Sequence, residues 1–161
     1  MIELRRLQND DAWADAKALF QEYADWLCEP VCLEGFNVEL RALSTIYQRP
    51  TGALILAWRD GCIAGCVGVR PAGERADICK MVRLYVRPEQ RGGGVGRLLA
   101  EAVIDGAAGM GYHVMQVDTL ARLREAVALY RTLGFEAEDA GSAKSADVLR
   151  LSLRLGSRRN A

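Results

Sequence analysis

The stretch of this chain best suited to chemistry is Arg91-Gly92-Gly93-Gly94-Val95-Gly96. Glycines remove Cβ atoms where backbone must approach something closely. The residues that follow, Val95, Leu98, Leu99, Ala102, Val103 and Met110, recur at helical spacing, with Arg97, Glu101 and Asp105 on the opposite face. The turn therefore opens a helix. The first helical turn has amide hydrogens without intrahelical partners, and with the helix dipole they favour a phosphate or pyrophosphate. Arg91 adds a cation at the mouth of the turn. A Walker loop would need Gly-Lys-Ser/Thr, which is absent. A dinucleotide fingerprint would need its third glycine at position 97 or 99, where Arg97 and Leu99 stand. From the residues alone, a glycine turn with no ligand stays open.

Other reactive groups are sparse. Cysteines stand at 28, 32, 62, 66 and 79. The spacings Cys28-x3-Cys32 and Cys62-x3-Cys66 invite a zinc reading. On a strand, however, positions 62 and 66 lie about 13 Å apart at about 3.3 Å per residue. His113 is the only histidine available to complete a site. The expectation is reduced, mostly buried thiols, no disulfide framework and no metal. Candidate carboxylates are Glu34, Asp77 and Asp118. Trp26, Phe36, Tyr47 and Trp58 would serve either as the wall of a pocket or as core.

The remaining elements must hold these groups in place. Residues 2–7 alternate as a first strand, and Asp10 or Asp11 caps a helix with the stripe Trp13, Ala16, Phe20, Tyr23 and Leu27. A second short helix covers 37–43. Residues 53–58 read as a strand, Asp60-Gly61 as a hairpin turn, 62–69 as its return and 78–86 as a further strand ended by Pro88. After the glycine turn and its helix come a strand at 114–117 and a helix over 123–133 stopped by Gly134. A strand opening at Phe135, a loop over 139–145 and a last strand over 148–155 complete the order. It predicts an α/β (α+β) fold, a mixed, mainly antiparallel sheet of six to seven strands flanked by about four helices.

Composition narrows the class. The 161 residues suit one domain, taken as 1–156 with a frayed tail over 157–161. Half the residues are hydrophobic, enough for a core without metals or disulfides. Lys plus Arg and Asp plus Glu both number 21, which argues against a dedicated nucleic-acid binder. The N-terminus lacks the features of a signal peptide and no apolar run approaches a membrane span, so a soluble cytoplasmic protein is expected.

In register, these segments resemble the GNAT superfamily of N-acyltransferases. The family's pyrophosphate loop reads Arg/Gln-x-x-Gly-x-Gly/Ala between a strand and a helix, here Arg91-x-x-Gly94-x-Gly96. Arg83-Leu84-Tyr85-Val86-Arg87-Pro88 is similar to the strand before that loop, and Asp118-Thr119-Leu120 to the end of the next strand. Ala126-x-x-Leu129-Tyr130-x-x-Leu133-Gly134-Phe135 is similar to the late helix and its exit. The likeness is close over about residues 52–136 and follows element order elsewhere.

The resemblance implies two splayed parallel strands at the centre of the sheet, with acetyl-CoA as acyl donor in the cleft between them. Leu84, Tyr85 and Val86 would offer backbone groups to the pantetheine arm. Arg91 and the amides of Gly92, Gly93, Gly94, Val95 and Gly96 would hold the pyrophosphate. Tyr130 would protonate the departing thiolate, whose thiol has an ordinary pKa of about 8.5. By spacing alone Tyr130 is a core residue on the stripe Leu123, Ala126, Tyr130, Leu133. One departure matters. Many relatives place a glutamate base three residues before the arginine of this strand, where this chain has Lys80. The resemblance offers Asp118 as a substitute base, with orienting the backbone around Thr119 as its other role. Glu34 and Lys80 are candidate substrate contacts, Lys80 toward a substrate carboxylate. The expected reaction is direct acetyl transfer, in a ternary complex, to a primary amine of a small molecule or peptide. A non-catalytic CoA-sensing or interaction domain is the alternative. No nucleic-acid or membrane partner is expected, and a homodimer is open because the family's last strands often pair across subunits.

Overall fold

The computed structural model describes residues 1–8, 12–28, 33, 35–138 and 147–156. The readings placed on Asp10 or Asp11, Cys32, Glu34, the 139–145 loop and the 157–161 tail lie outside the described residues.

The first half of the chain builds an antiparallel sheet. β1 (Ile2–Arg6) pairs with β2 (Ala53–Arg59), β2 with β3 (Cys62–Pro71), and β3 with β4 (Ile78–Val86). Asp60 and Gly61, between β2 and β3, have φ of 51° and 83°. Such paired positive values match the twist of the strands they join. β5 (Val114–Leu120) then joins parallel to β4, β7 (Val148–Arg154) pairs antiparallel with β5, and the short β6 (Glu136–Ala137) closes the far edge on β7. The sheet order is β1-β2-β3-β4-β5-β7-β6.

Helices cover both faces. α1 (Trp13–Leu27), α2 (Phe36–Arg41) and α3 (Leu43–Ile46) lie on one side, α4 (Val95–Gly109) and α5 (Arg124–Thr132) on the other. The single helix expected over 37–43 is instead two short ones broken at Ala42, whose φ of −128° is not helical. On the α4 side, Leu99, Val103, Ile104 and Ala107 pack against Val67, Val69, Met81, Met115 and Leu151. On the other, Leu19, Phe20, Phe36 and Tyr47 cover Leu54, Leu56, Cys66 and Tyr85. Each fully buried Leu of this kind contributes about 1.5–3 kcal/mol. Leu98, expected on the inner face of α4, is 39% exposed, and Ala100 and Ile104 are buried instead. Among the described residues, no helix is long and apolar enough to cross a membrane.

The centre of the sheet carries the feature that matters for function. β4 and β5 pair from Ile78↔Val114 to Met81↔Val117 and then part. A bulge bends β4 just beyond that point. Between the pairs Gly68↔Val82 and Cys66↔Tyr85, Val67 alone faces both Arg83 and Leu84. Such an extra residue bends its strand and raises the local twist. Arg83 adopts a φ of 57° there, a conformation costing a non-glycine residue about 1–2 kcal/mol. It is held by Glu39 of α2. Arg83 Nε donates to Glu39 Oε2 at 3.0 Å and Nη2 to Oε1 at 2.8 Å, while the Tyr47 hydroxyl donates to Oε2 at 3.0 Å. Gly68 makes room for this group, because a Cβ there would lie 2.7 Å from the Tyr47 ring.

Candidate active site

Where β4 and β5 part, a cleft of about 600 Å³ opens. One wall is β4 from Lys80 to Val86, continued by Arg91, Gly92, Gly94, Val95 and Gly96. The opposite wall is the end of β5, from Val117 to Leu120, with Ala126, Leu129 and Tyr130 of α5. Tyr23, Trp26 and Leu27 of α1 form the lip. That lip is fastened to both walls. Glu22 accepts from Arg87 Nη2 at 2.6 Å on the β4 side, and the Leu27 carbonyl accepts from Arg122 Nη2 at 3.0 Å on the β5 side. Leu27 also packs against Leu120 and Val148.

The glycine turn has the conformation its sequence demands. A single 3-10 turn at Pro88–Gln90 leads into Gly92 and Gly94, with φ of 84° and 85°. Gly94 is the N-cap of α4, and no side chain caps the helix. Its first amides are thus left for a ligand or solvent. Nothing lies within 4 Å of a Cβ built on Gly92 or Gly94, so the requirement there is torsional rather than spatial. Gly93 is not on the cleft wall, and a Cβ there would collide with the Arg59 guanidinium. Arg91 sits at the mouth as expected. Its Nε donates to the Val86 carbonyl at 2.9 Å, and its guanidinium lies over the Trp26 ring at 4.7 Å and the Tyr85 ring at 5.9 Å. Leu84 and Val86 turn their side chains toward the α4 core and Tyr85 toward the α1 side, so all three present backbone along the cleft.

Tyr130 lies on the opposite wall, 5% exposed and packed edge-on against Phe135 with centroids 5.7 Å apart. Burial pushes its phenol pKa well up, and Tyr23 adds to the effect. The hydroxyl therefore stays protonated far into the alkaline range.

Asp118 also reaches the cleft, held between two cations. Lys80 Nζ donates to Oδ2 at 2.9 Å, and Arg150 donates from Nε to Oδ1 at 2.7 Å and from Nη2 to Oδ2 at 3.1 Å. Burial raises the carboxyl pKa, but the hydrogen bonds and charges of Arg150 and Lys80 outweigh it and hold the group below the ordinary carboxylate range. Asp77 lies away from the cleft, hydrogen-bonded to exposed Arg75. Of the four aromatics singled out, only Trp26 lines the cleft. Phe36 and Tyr47 are core, and Trp58 lies under Arg5. His113 is also outside the cleft. Among the cysteines, burial pushes the Cys66 thiol up and Cys79 up to about 12, while Cys28 and Cys62 are exposed. No group of His, Cys, Asp and Glu suited to a metal occurs among the described residues.

Several wall residues were not singled out by spacing. Tyr23 was read only as part of a helical stripe. Arg122 and Arg124 flank the β5 end, and Arg70, one residue before the end of β3, lies beside Lys80. The available signal for Arg70 was a charge at the end of an apolar strand, directly before Pro71.

Comparison with known proteins agrees with this geometry. The chain is 40% identical over 124 residues to an uncharacterized N-acetyltransferase of Schizosaccharomyces pombe, covering 76% of this chain and 75% of the relative. It is 33% identical over 137 residues to the uncharacterized N-acetyltransferase YjgM of Escherichia coli, covering 83% and 81%. Its fold is similar to that of yncA from Salmonella typhimurium, solved with its cofactor acetyl-CoA, at a TM-score of 0.68 and 18% identity over 96% of this chain and 94% of that one. The model of the acetyltransferase (GNAT) family matches residues 11–135, and with the 40% identical relative it shows that the chain belongs to that family.

Proposed function

We propose that this protein is an N-acetyltransferase that moves an acetyl group from acetyl-CoA to a primary amine by direct transfer in a ternary complex. One observation carries the reading. The open flank of β4 runs straight into the uncapped N-terminus of α4, through a turn that Gly92 and Gly94 allow. An extended amide-bearing arm and a pyrophosphate fit that line in the order in which the donor carries them. The acetyl-CoA-bound Salmonella typhimurium neighbour supports the same donor.

Acetyl-CoA, when bound, supplies an activated thioester. The chain's own groups do the rest. Backbone groups of residues 84–86 hold the arm against β4, while the amides at the start of α4 and Arg91 bind the pyrophosphate. The Tyr130 hydroxyl gives its proton to the sulfur as the carbon–sulfur bond breaks, and the proton lost by the attacking amine restores the balance. Asp118, engaged by Lys80 and Arg150, acts as a positioning residue rather than a base. Arg70, Lys80, Arg122 and Arg124 outnumber Asp118 and Glu125 on the walls, which disfavours an ammonium, so the amine enters neutral.

Calorimetric titration tests the donor site. One saturable site for acetyl-CoA is expected, and Gly94→Glu should weaken it at least about 100-fold by setting a carboxylate against the pyrophosphate and straining a positive φ. A folded Gly94→Glu protein that binds like the parent would exclude the turn as the site. Trp26 supplies a second readout. A pyrophosphate competes for Arg91 and draws it off the indole. Donor binding should then change tryptophan emission, and Trp26→Phe should abolish the change, since Trp13 and Trp58 lie outside the cleft. An equal change in the variant would show that Arg91 stays in place.

A further inference from the structure

We infer that the acceptor carries a carboxylate beside its amine, and that Arg70 rather than Lys80 receives it. The inference rests on the acetyltransferase reading and adds the chemical class of its second substrate.

The argument begins with strand register. Val69, Met81, Val117 and Leu151 point into the core beneath α4. Their neighbours Arg70, Lys80, Asp118 and Arg150 therefore face the other side of the sheet. Register places Arg70 beside Lys80 and Asp118 beside Arg150. The result is a cluster on one face of the sheet, Arg70 and Lys80 on one rung and Asp118 and Arg150 on the next of that face, and Arg70, Lys80 and Asp118 line the cleft.

The carboxylate of this cluster is already shared. Lys80 and Arg150 both donate to Asp118, which uses both oxygens. Of the other acids near this face, Glu39 is engaged by Arg83 and Tyr47, and Glu138 accepts from Gln116. Arg70 is the exception. Among the described residues, its Nε is a buried side-chain nitrogen with no hydrogen-bond partner. A buried donor in this state is costly, and a native structure normally explains it. Here the explanation is a ligand. A guanidinium receives a carboxylate through two parallel hydrogen bonds, which a lysine cannot match. With Lys80 and Arg150 committed to Asp118, this cluster has one guanidinium left to offer, which suits a monoanion better than a phosphate. The carboxylate expected opposite Lys80 thus moves one strand over, and Lys80 fixes Asp118 instead.

The test compares amines that differ only at the anion. Acetyl-CoA consumption would be measured with a panel of α- and ω-amino acids, their carboxamides, and phosphorylated amines such as phosphoethanolamine. A carboxamide has the more easily deprotonated α-amine, so a preference for the acid cannot come from amine basicity. The best amino acid should exceed its carboxamide at least about tenfold in kcat/KM, chiefly through KM, as a charge-assisted hydrogen bond allows. Arg70→Gln should reduce that ratio to about one, and Arg70→Lys should restore part of it. Calorimetry on the same proteins should show acetyl-CoA affinity unchanged, which also certifies their fold. The proposal is overturned by equal use of the carboxamide, by preference for the phosphorylated amine, or by a ratio that survives Arg70→Gln. It is also overturned if the protein binds acetyl-CoA yet acetylates no carboxylated amine. A parent protein that fails to bind acetyl-CoA instead overturns the donor reading, and the acceptor assignment falls with it.

Discussion

Replacing Tyr130 by Phe is expected to lower kcat by about 10²- to 10⁴-fold while leaving acetyl-CoA affinity as it is. The substitution removes one oxygen from a ring that Phe135 continues to pack, so the fold should not register it. The loss falls on kcat because the hydroxyl is needed when sulfur gains charge, not when the donor docks. The pH profile adds an independent check. Burial, with Tyr23, raises the phenol pKa. A group with a raised pKa keeps its proton as pH increases, so no alkaline fall in kcat should trace to Tyr130 at any pH the fold survives. An unchanged kcat in the Phe variant would return Tyr130 to a packing role. A descending limb near pH 10 that vanishes in the variant would contradict the effect of burial.

Glu39→Ala is expected to destabilise the protein by about 3–5 kcal/mol, the usual cost of breaking a buried ion pair by removing one partner. For a chain of this size that means a fall in Tm on the order of 10 °C. Glu39 and Arg83 are each 6% exposed at their side chains. The variant deprives a buried guanidinium of its counter-charge and the Tyr47 hydroxyl of its acceptor. Activity should fall as well, because the same carboxylate holds the left-handed residue at the bend of β4. Replacing both partners, Glu39→Met with Arg83→Met, should recover most of the Tm but not the activity, since the bulge loses what held it. Thermal melts check the first statement and the rate of acetyl-CoA consumption the second. A Glu39→Ala protein melting within about 2 °C of the parent would show that the pair contributes little.

What the sequence disclosed depended on whether the signal was local. Asp60-Gly61, Gly92 and Gly94 were legible because a positive φ has few residues to choose from, and the structure shows it at each. The parallel centre of the sheet was legible only through the GNAT resemblance, since four motifs had to be read together. Arg83 was not legible as a bulge. Left-handed positions are usually marked by Gly or Asn, and here an arginine is kept there by a glutamate 44 residues away. Asp118 was placed at the correct strand end, but its role depends on Lys80 and Arg150, 38 and 32 residues distant, which register alone brings together. Leu98 sits at the border of its helical stripe, and only the sheet beneath α4 decides that Ala100 and Ile104 go inward instead.

The parting of β4 and β5 gives the sheet two further edges in its interior. An edge is ordinarily a hazard, because its unpaired amides and carbonyls will take up any extended chain that arrives. Here the hazard is screened by selective admission. The end of α1 is tied down on both banks, through Glu22 to Arg87 and through Leu27 to Arg122, so a fixed helix end bridges the gap and narrows the approach to it. A thin linear ligand with its own amides can still enter and pair. On the donor reading, filling the site and finishing the sheet are the same event. The groups that would make an open sheet adhesive are thereby reserved for one visitor.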